Sequence, residues 1–67
     1  MTKPEFYQQL TQQIEAIISG ETDIIANMAN VSAVLYESLE HVNWAGFYRL
    51  VNNELVLGPF QGKVACI

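Results

Sequence analysis

The chain reads as an α+β protein in which two helices precede an antiparallel sheet that is incomplete. Three observations carry this reading. Apolar residues recur at helical spacing through the first 40 residues. From Asn43 the period falls to two, as in a strand with alternating faces. Two apolar runs of that second region then flank a two-residue asparagine turn. Helices and strands that segregate along a chain, rather than alternate, give this class.

The first helix is expected over residues 4–19. Pro4 suits the first helical position, Glu5 lies near the positive end of the helix dipole, and Gly20 stands where a C-cap belongs. Phe6, Leu10, Ile14, Ile17 and Ile18 form its apolar stripe, with glutamines opposite. A second helix is expected over 22–40, capped by Thr22 or Asp23. Ile24, Met28, Val31, Leu35 and Leu39 make its stripe, and Ile25, Ala29 and Val34 widen it, so more than one side is buried. Met28 reads as core filler rather than a soft ligand. His41, after Glu37 and Glu40, reads as a solvated or dipole-facing side chain rather than a proton switch.

"WAGFYRLV" and "ELVLG" flank Asn52-Asn53, and asparagine tolerates the left-handed backbone of a tight hairpin. The register sets Val51 opposite Glu54, Leu50 opposite Leu55 and Tyr48 opposite Leu57. Arg49 then lies diagonal to Glu54, close enough for a rim ion pair. Gly58 and Pro59 are expected to end the second strand, and "KVACI" to start a third. A third strand left open exposes an apolar edge. The chain is therefore read as the N-terminal part, residues 1–67, of a single domain. It is expected to form a homodimer or to associate with a complementary C-terminal fragment.

Composition narrows the function. Hydrophobic residues are 51% of 67, and the net charge is −4. A chain this short buries only about 60% of its unfolded surface, so such richness suggests a piece of a larger core. Lys3, Arg49 and Lys63 are dispersed, with no basic stripe for nucleic acid. No apolar run approaches the ~20 residues of a membrane helix, and the start lacks the apolar core of a signal peptide. A lone cysteine without an export signal gives the cytoplasm as the expected compartment. One cysteine and one histidine make neither an internal disulfide nor a zinc site, and no cofactor is expected.

Three features could carry chemistry. Trp44, Gly46, Tyr48 and Leu50 share one face of the first strand. A glycine between large aromatics leaves a gap that either admits a ligand or marks a bulge. "LGPFQGK" is either a shaped loop or a plain connection, and it lacks the spacing of a phosphate-binding loop. Cys66 is, on its own, an ordinary small apolar residue. Lys63, three positions back, would point to the opposite face of an extended strand, so nothing local favours a thiolate.

"GETDIIANMANVSAVLYESL", "VNWAGFY" and "LVLGPFQGKVACI" together resemble the free methionine-(R)-sulfoxide reductases, a branch of the GAF-domain family. The resemblance covers nearly the whole chain. It implies an antiparallel sheet with helices on one face and a pocket on the other that encloses free methionine sulfoxide. It implies that Trp44 and Tyr48 line that pocket, with Trp44 against the methyl group beside the sulfur. Cys66 matches a cysteine that resolves the intermediate, with a thioredoxin-type reductant restoring the pair. The nucleophilic cysteine and the acidic residues of the family would lie beyond Ile67, which leaves this chain expected to be inactive alone. A GAF-type small-ligand sensor without redox catalysis is the competing reading. A purely packing or dimerising role is a third.

Overall fold

The computed structural model describes residues 1–65. Helix α1 runs Lys3–Ser19 and begins one residue earlier than expected. The cause is a capping box. The Thr2 hydroxyl accepts from the Glu5 N–H at 3.3 Å, and the Glu5 carboxylate accepts from the Thr2 N–H at 3.4 Å and from the Thr2 hydroxyl at 2.8 Å. Pro4 sits in the first turn, where its missing N–H has no intrahelical partner to lose. Gly20 does cap the C-terminus, but with right-handed φ −101°. A side chain there would meet nothing within 4 Å.

Helix α2, Ile24–Ser38, is shorter than expected at both ends. Asp23 is its N-cap and accepts from the Ala26 N–H at 2.8 Å. Glu21 organises the link from α1: its carboxylate accepts the Asp23 N–H, and its carbonyl accepts the Asn27 side-chain amide, each at 3.0 Å. At the other end Leu39 is already extended, and His41 takes a left-handed φ of 63°. That turn aims the chain into the sheet and leaves His41 outside the helix.

Strands β1 (Trp44–Val51) and β2 (Glu54–Gly62) pair antiparallel through the turn at Asn52 and Asn53, whose φ values are 50° and 64°. Near the turn the register is the expected one: Val51 with Glu54, Leu50 with Leu55, Tyr48 with Leu57. Among the described residues, Arg49 and Glu54 form no ion pair. Both are exposed, where the Coulomb gain is too small to hold two long side chains in one geometry.

Gly58 and Pro59 do not end β2. Gly46 pairs with Phe60 while Tyr48 pairs with Leu57, so Phe47 faces both Gly58 and Pro59 across a β-bulge. A bulge leaves one residue outside the ladder, and proline has no N–H to contribute to it. The strand therefore continues to Gly62. No strand begins at Lys63–Ala65, and the rest of the expected third strand, Cys66 and Ile67, lies outside the described residues.

Helix α2 packs on both strands, and α1 packs on α2. Among the described residues α1 does not reach the hairpin, so the expectation that both helices lie on the sheet holds for α2 alone. Leu10 and Val34 are buried between these layers. Ser32 is fully buried, and its hydroxyl lies within donating distance of the Met28 carbonyl (2.8 Å) and the Pro59 carbonyl (3.3 Å). The bulge is thereby tied to the helix.

The result is a slab of 42 × 29 × 17 Å. Its radius of gyration is 13.3 Å, against roughly 11 Å for a closed domain of this length. Among the described residues no helix is long and apolar enough to cross a membrane.

The two glycines at the ends of α1 and β2 should respond oppositely to alanine. Gly20→Ala should leave stability unchanged or raise it by up to about 1 kcal/mol, because the backbone is ordinary and the space is open. Gly62→Ala should lower it by more than about 1 kcal/mol, since φ is 123° and the new Cβ would sit 2.7 Å from the Asn43 carbonyl oxygen. Urea unfolding followed by helical circular dichroism checks both.

Candidate functional site

The extra residue of the bulge belongs to β2, so alternation along β1 is unbroken. Trp44, Gly46, Tyr48 and Leu50 occupy one face. Across from them, Leu55, Leu57, Phe60 and Gly62 pair into the same face. The two glycines determine how Trp44 lies. A Cβ on Gly46 would be 2.8 Å from Trp44 Cη2, and one on Gly62 would be 3.1 Å from Trp44 Cδ1. The indole lies over the ground that two side chains would otherwise claim.

The space left by Gly46 is taken by Phe60 Cβ and the edge of the Trp44 indole, and the other expectation for this glycine, a bulge beside it, is what the ladder shows. Trp44 is stacked with Tyr48 at 6.0 Å and 27°, and with Phe60 at 5.5 Å and 18°. Stacked pairs of this kind are each worth about 0.5–1.5 kcal/mol beyond the area they bury. Phe60 did not emerge from sequence reasoning as part of the site. Its signal was an aromatic opposite a strand glycine, a pairing that covers exposed backbone. Ending β2 at Pro59 had removed it from the sheet.

Trp44 also carries an unspent hydrogen bond. Its indole Nε1–H is buried and has no acceptor among the described residues, a condition shared with the Asn27 side-chain oxygen. A buried unmet donor costs about 1–3 kcal/mol, so an acceptor brought to it gains correspondingly. Beyond the stack, Leu50 and Leu55 remain 71% and 73% exposed. Among the described residues the Tyr48 phenol is the one side chain on this face able to exchange a proton. The face can hold a flat, apolar or polarisable group such as a thioether methyl. Cys66, the expected thiol, lies outside the described residues.

A separate cavity of about 520 Å³ opens where α1 starts and the α2–β1 connection passes, between Lys3, Phe6, Tyr7, Leu39, His41 and Val42. It does not reach Trp44 or Tyr48. His41 stands 3.9 Å from Glu40 there, with both side chains more than nine-tenths exposed, so the pair contributes little. Among the described residues no three His, Cys, Asp or Glu side chains come together to hold a metal.

No family model matches the chain. It is 55% identical over 67 residues to the free methionine-R-sulfoxide reductase of Escherichia coli, covering all of this chain and 41% of that protein. It is 41% identical to the free methionine-R-sulfoxide reductase of Saccharomyces cerevisiae, over 98% of this chain and 41% of that protein. Among solved structures, a GAF sensor protein of Burkholderia vietnamiensis superposes with a TM-score of 0.94 at 51% identity, covering 100% of this chain and 42% of that one. The fRMsr of Staphylococcus aureus, in complex with its substrate, superposes with a TM-score of 0.87 at 46% identity, over 91% and 40%. The chain thus spans about two-fifths of the length of the relatives it matches.

Replacing Gly46 by alanine should break this site. The new Cβ would overlap Phe60 Cβ and sit 2.8 Å from the Phe60 Cα, which is backbone and cannot swing away. A loss of about 1–3 kcal/mol is expected from such overpacking, read as a lower urea midpoint. An unchanged midpoint would mean that Phe60 does not approach Gly46 this closely.

Proposed function

We propose that this chain, 55% identical to part of the free methionine-R-sulfoxide reductase of E. coli and superposing on part of the GAF structures, forms the aromatic wall of a site for free methionine-(R)-sulfoxide. The observation that carries the reading is the Trp44–Tyr48 stack over Gly46, on the strand through which the 55% identity to the E. coli enzyme runs. A flat indole suits a methyl group attached to sulfur, because both are apolar and polarisable. Tyr48 borders the same surface. The unmet Trp44 Nε1–H adds one donor for an oxygen of the ligand or of the surrounding protein.

The reaction requires more than a wall. A cysteine thiolate attacks the sulfoxide sulfur, an acid protonates the departing oxygen, and the oxygen ends on the cysteine as a sulfenic acid while methionine is released. A second thiol condenses with the sulfenic acid, releasing water and forming a disulfide, which a dithiol such as thioredoxin reduces. In this reading Cys66 is the second, resolving thiol. The attacking cysteine and the acid come from the part of the relatives' length that this chain does not span. In this reading a complementary C-terminal fragment would supply them, a homodimer would only cover the exposed apolar surface, and the reaction would take place in the cytoplasm.

The test is a chimera in which residues 1–67 replace the corresponding segment of the E. coli relative. The chimera should reduce free methionine-(R)-sulfoxide with a thioredoxin system, whereas the 67-residue chain alone should show no turnover. A folded chimera that binds the sulfoxide without reducing it would support the sensor reading instead.

Cys66→Ser in the chimera separates the thiol roles. Single-turnover yield of methionine should persist while steady-state turnover by thioredoxin falls by at least about tenfold. Loss of the single turnover in a folded variant would make Cys66 the attacker. Unchanged steady-state turnover would make it packing only.

A further inference from the structure

We propose that Phe60 is a positioning residue of this site: it holds the Trp44 indole flat on Gly46, so that the ring presents a fixed surface to the ligand. The inference rests on the reading of Trp44 as the ligand wall, but the seating itself stands on geometry. Trp44 is the ring common to both stacked pairs, and Phe60 is the nearer and more parallel partner, at 5.5 Å and 18°. Phe60 also pairs directly with Gly46 across the ladder. The benzo end of the indole therefore rests above a glycine whose missing side chain would strike both Trp44 and Phe60. The pyrrole end lies against Gly62, whose φ of 123° disfavours any other residue.

Two glycines remove the obstacles, and neither can stop the ring from swinging about χ1 and χ2. An aromatic ring alongside can. Phe60 offers a flat face with no polar atom, and its own place is fixed by the ladder rather than by a mobile loop. Tyr48 is less suited to that task, since it is 43% exposed and farther from parallel. Loss of Phe60 leaves the indole on its glycines with one lateral wall fewer. A ring that samples several orientations presents the ligand with a surface that must be ordered on binding, which weakens binding more than it slows the chemical step.

Trp44 is the only tryptophan of the chain, so its fluorescence and near-ultraviolet dichroism report on this ring alone. The experiment compares the 67-residue chain with Phe60→Leu, Phe60→Ala and Phe60→Tyr, using far-ultraviolet dichroism to confirm the helices. Phe60→Leu and Phe60→Ala should red-shift the emission and raise the acrylamide quenching constant about twofold, with loss of the tryptophan near-ultraviolet band. Phe60→Tyr, which restores a ring, should return all three. Should Phe60→Ala unfold, Phe60→Leu still decides, since it keeps apolar bulk and lacks only the ring. Wild-type spectra in folded Phe60→Leu, or no rescue by Phe60→Tyr, would overturn the seating. In the chimera, Phe60→Leu should raise KM for free methionine-(R)-sulfoxide about tenfold with kcat changed less than twofold, the pattern of lost orientation in the bound state. Altered spectra with an unchanged KM would leave the seating intact and overturn the placement of substrate against Trp44.

Discussion

One added residue in β2 decides what the sheet displays. Near the turn, Tyr48 pairs with Leu57 and Leu50 with Leu55. Continued without interruption, that register would set Gly46 opposite Pro59 and Ala45 opposite Phe60. Phe60 would then share the face of Ala45 and Phe47, away from the indole. The bulge at Gly58–Pro59 shifts the second half of the strand by one position, and a shift of one exchanges the faces. Phe60 arrives opposite Gly46, and Gly62 opposite Trp44. The aromatic stack, the seat beneath it and the open row that runs on to Leu50 and Leu55 all depend on that displacement.

The bulge is itself held by constraints that act from different directions. Gly58 must lack a side chain, because a Cβ there would sit 2.9 Å from the Phe47 carbonyl oxygen. Pro59 cannot donate to the ladder, so placing it in the bulge sacrifices no strand hydrogen bond of its own. From behind, Ser32 of α2 is buried completely and reaches the Pro59 carbonyl. A buried hydroxyl without partners would be costly. The one hydroxyl proton is shared unequally, with the Met28 carbonyl at 2.8 Å the closer acceptor and the Pro59 carbonyl at 3.3 Å the farther. Helix α2 thus meets the bulge through a polar contact, beside a core that among the described residues is otherwise Leu10 and Val34.

Local chemistry explains which features the sequence disclosed. The hairpin register was legible because Asn52-Asn53 leaves few alternatives for a two-residue turn. Asp23 was one of two caps that fitted, and the Thr2–Glu5 box was present in the sequence but overshadowed by Pro4. The bulge was not legible. Gly58-Pro59 satisfies the local rules for a strand end equally well, and only the packing of Ser32 and the pairing of Phe60 with Gly46 distinguish the two outcomes. Layering was ambiguous for a related reason: an apolar stripe on α1 states that a side is buried, not that α2 rather than the sheet buries it. The placement of Trp44 and Tyr48 on one face followed from alternation, but the filling of the gap at Gly46 depended on Phe60. The roles given to Cys66 and to a reductant came from family resemblance and from no local feature.

The shape of the slab bears on how such a site could be assembled. Its accessible surface is 5317 Å², whereas a closed globule of this mass would expose roughly 4,200 Å². Part of the excess is apolar and continuous with the stack, through Leu50 and Leu55, and part lies on α2 at Ile24. Burial of apolar surface gains about 25 cal/mol per Å², so covering the row beyond Trp44 would close the domain and enclose the wall in one step. The wall contains no charge that would resist enclosure. Its orientation is set by backbone pairing, two glycines and neighbouring rings, none of which needs a partner already in place. Groups that must meet a reacting sulfur can then come from whatever covers the face, while the surface that orients the sulfur is built into the hairpin.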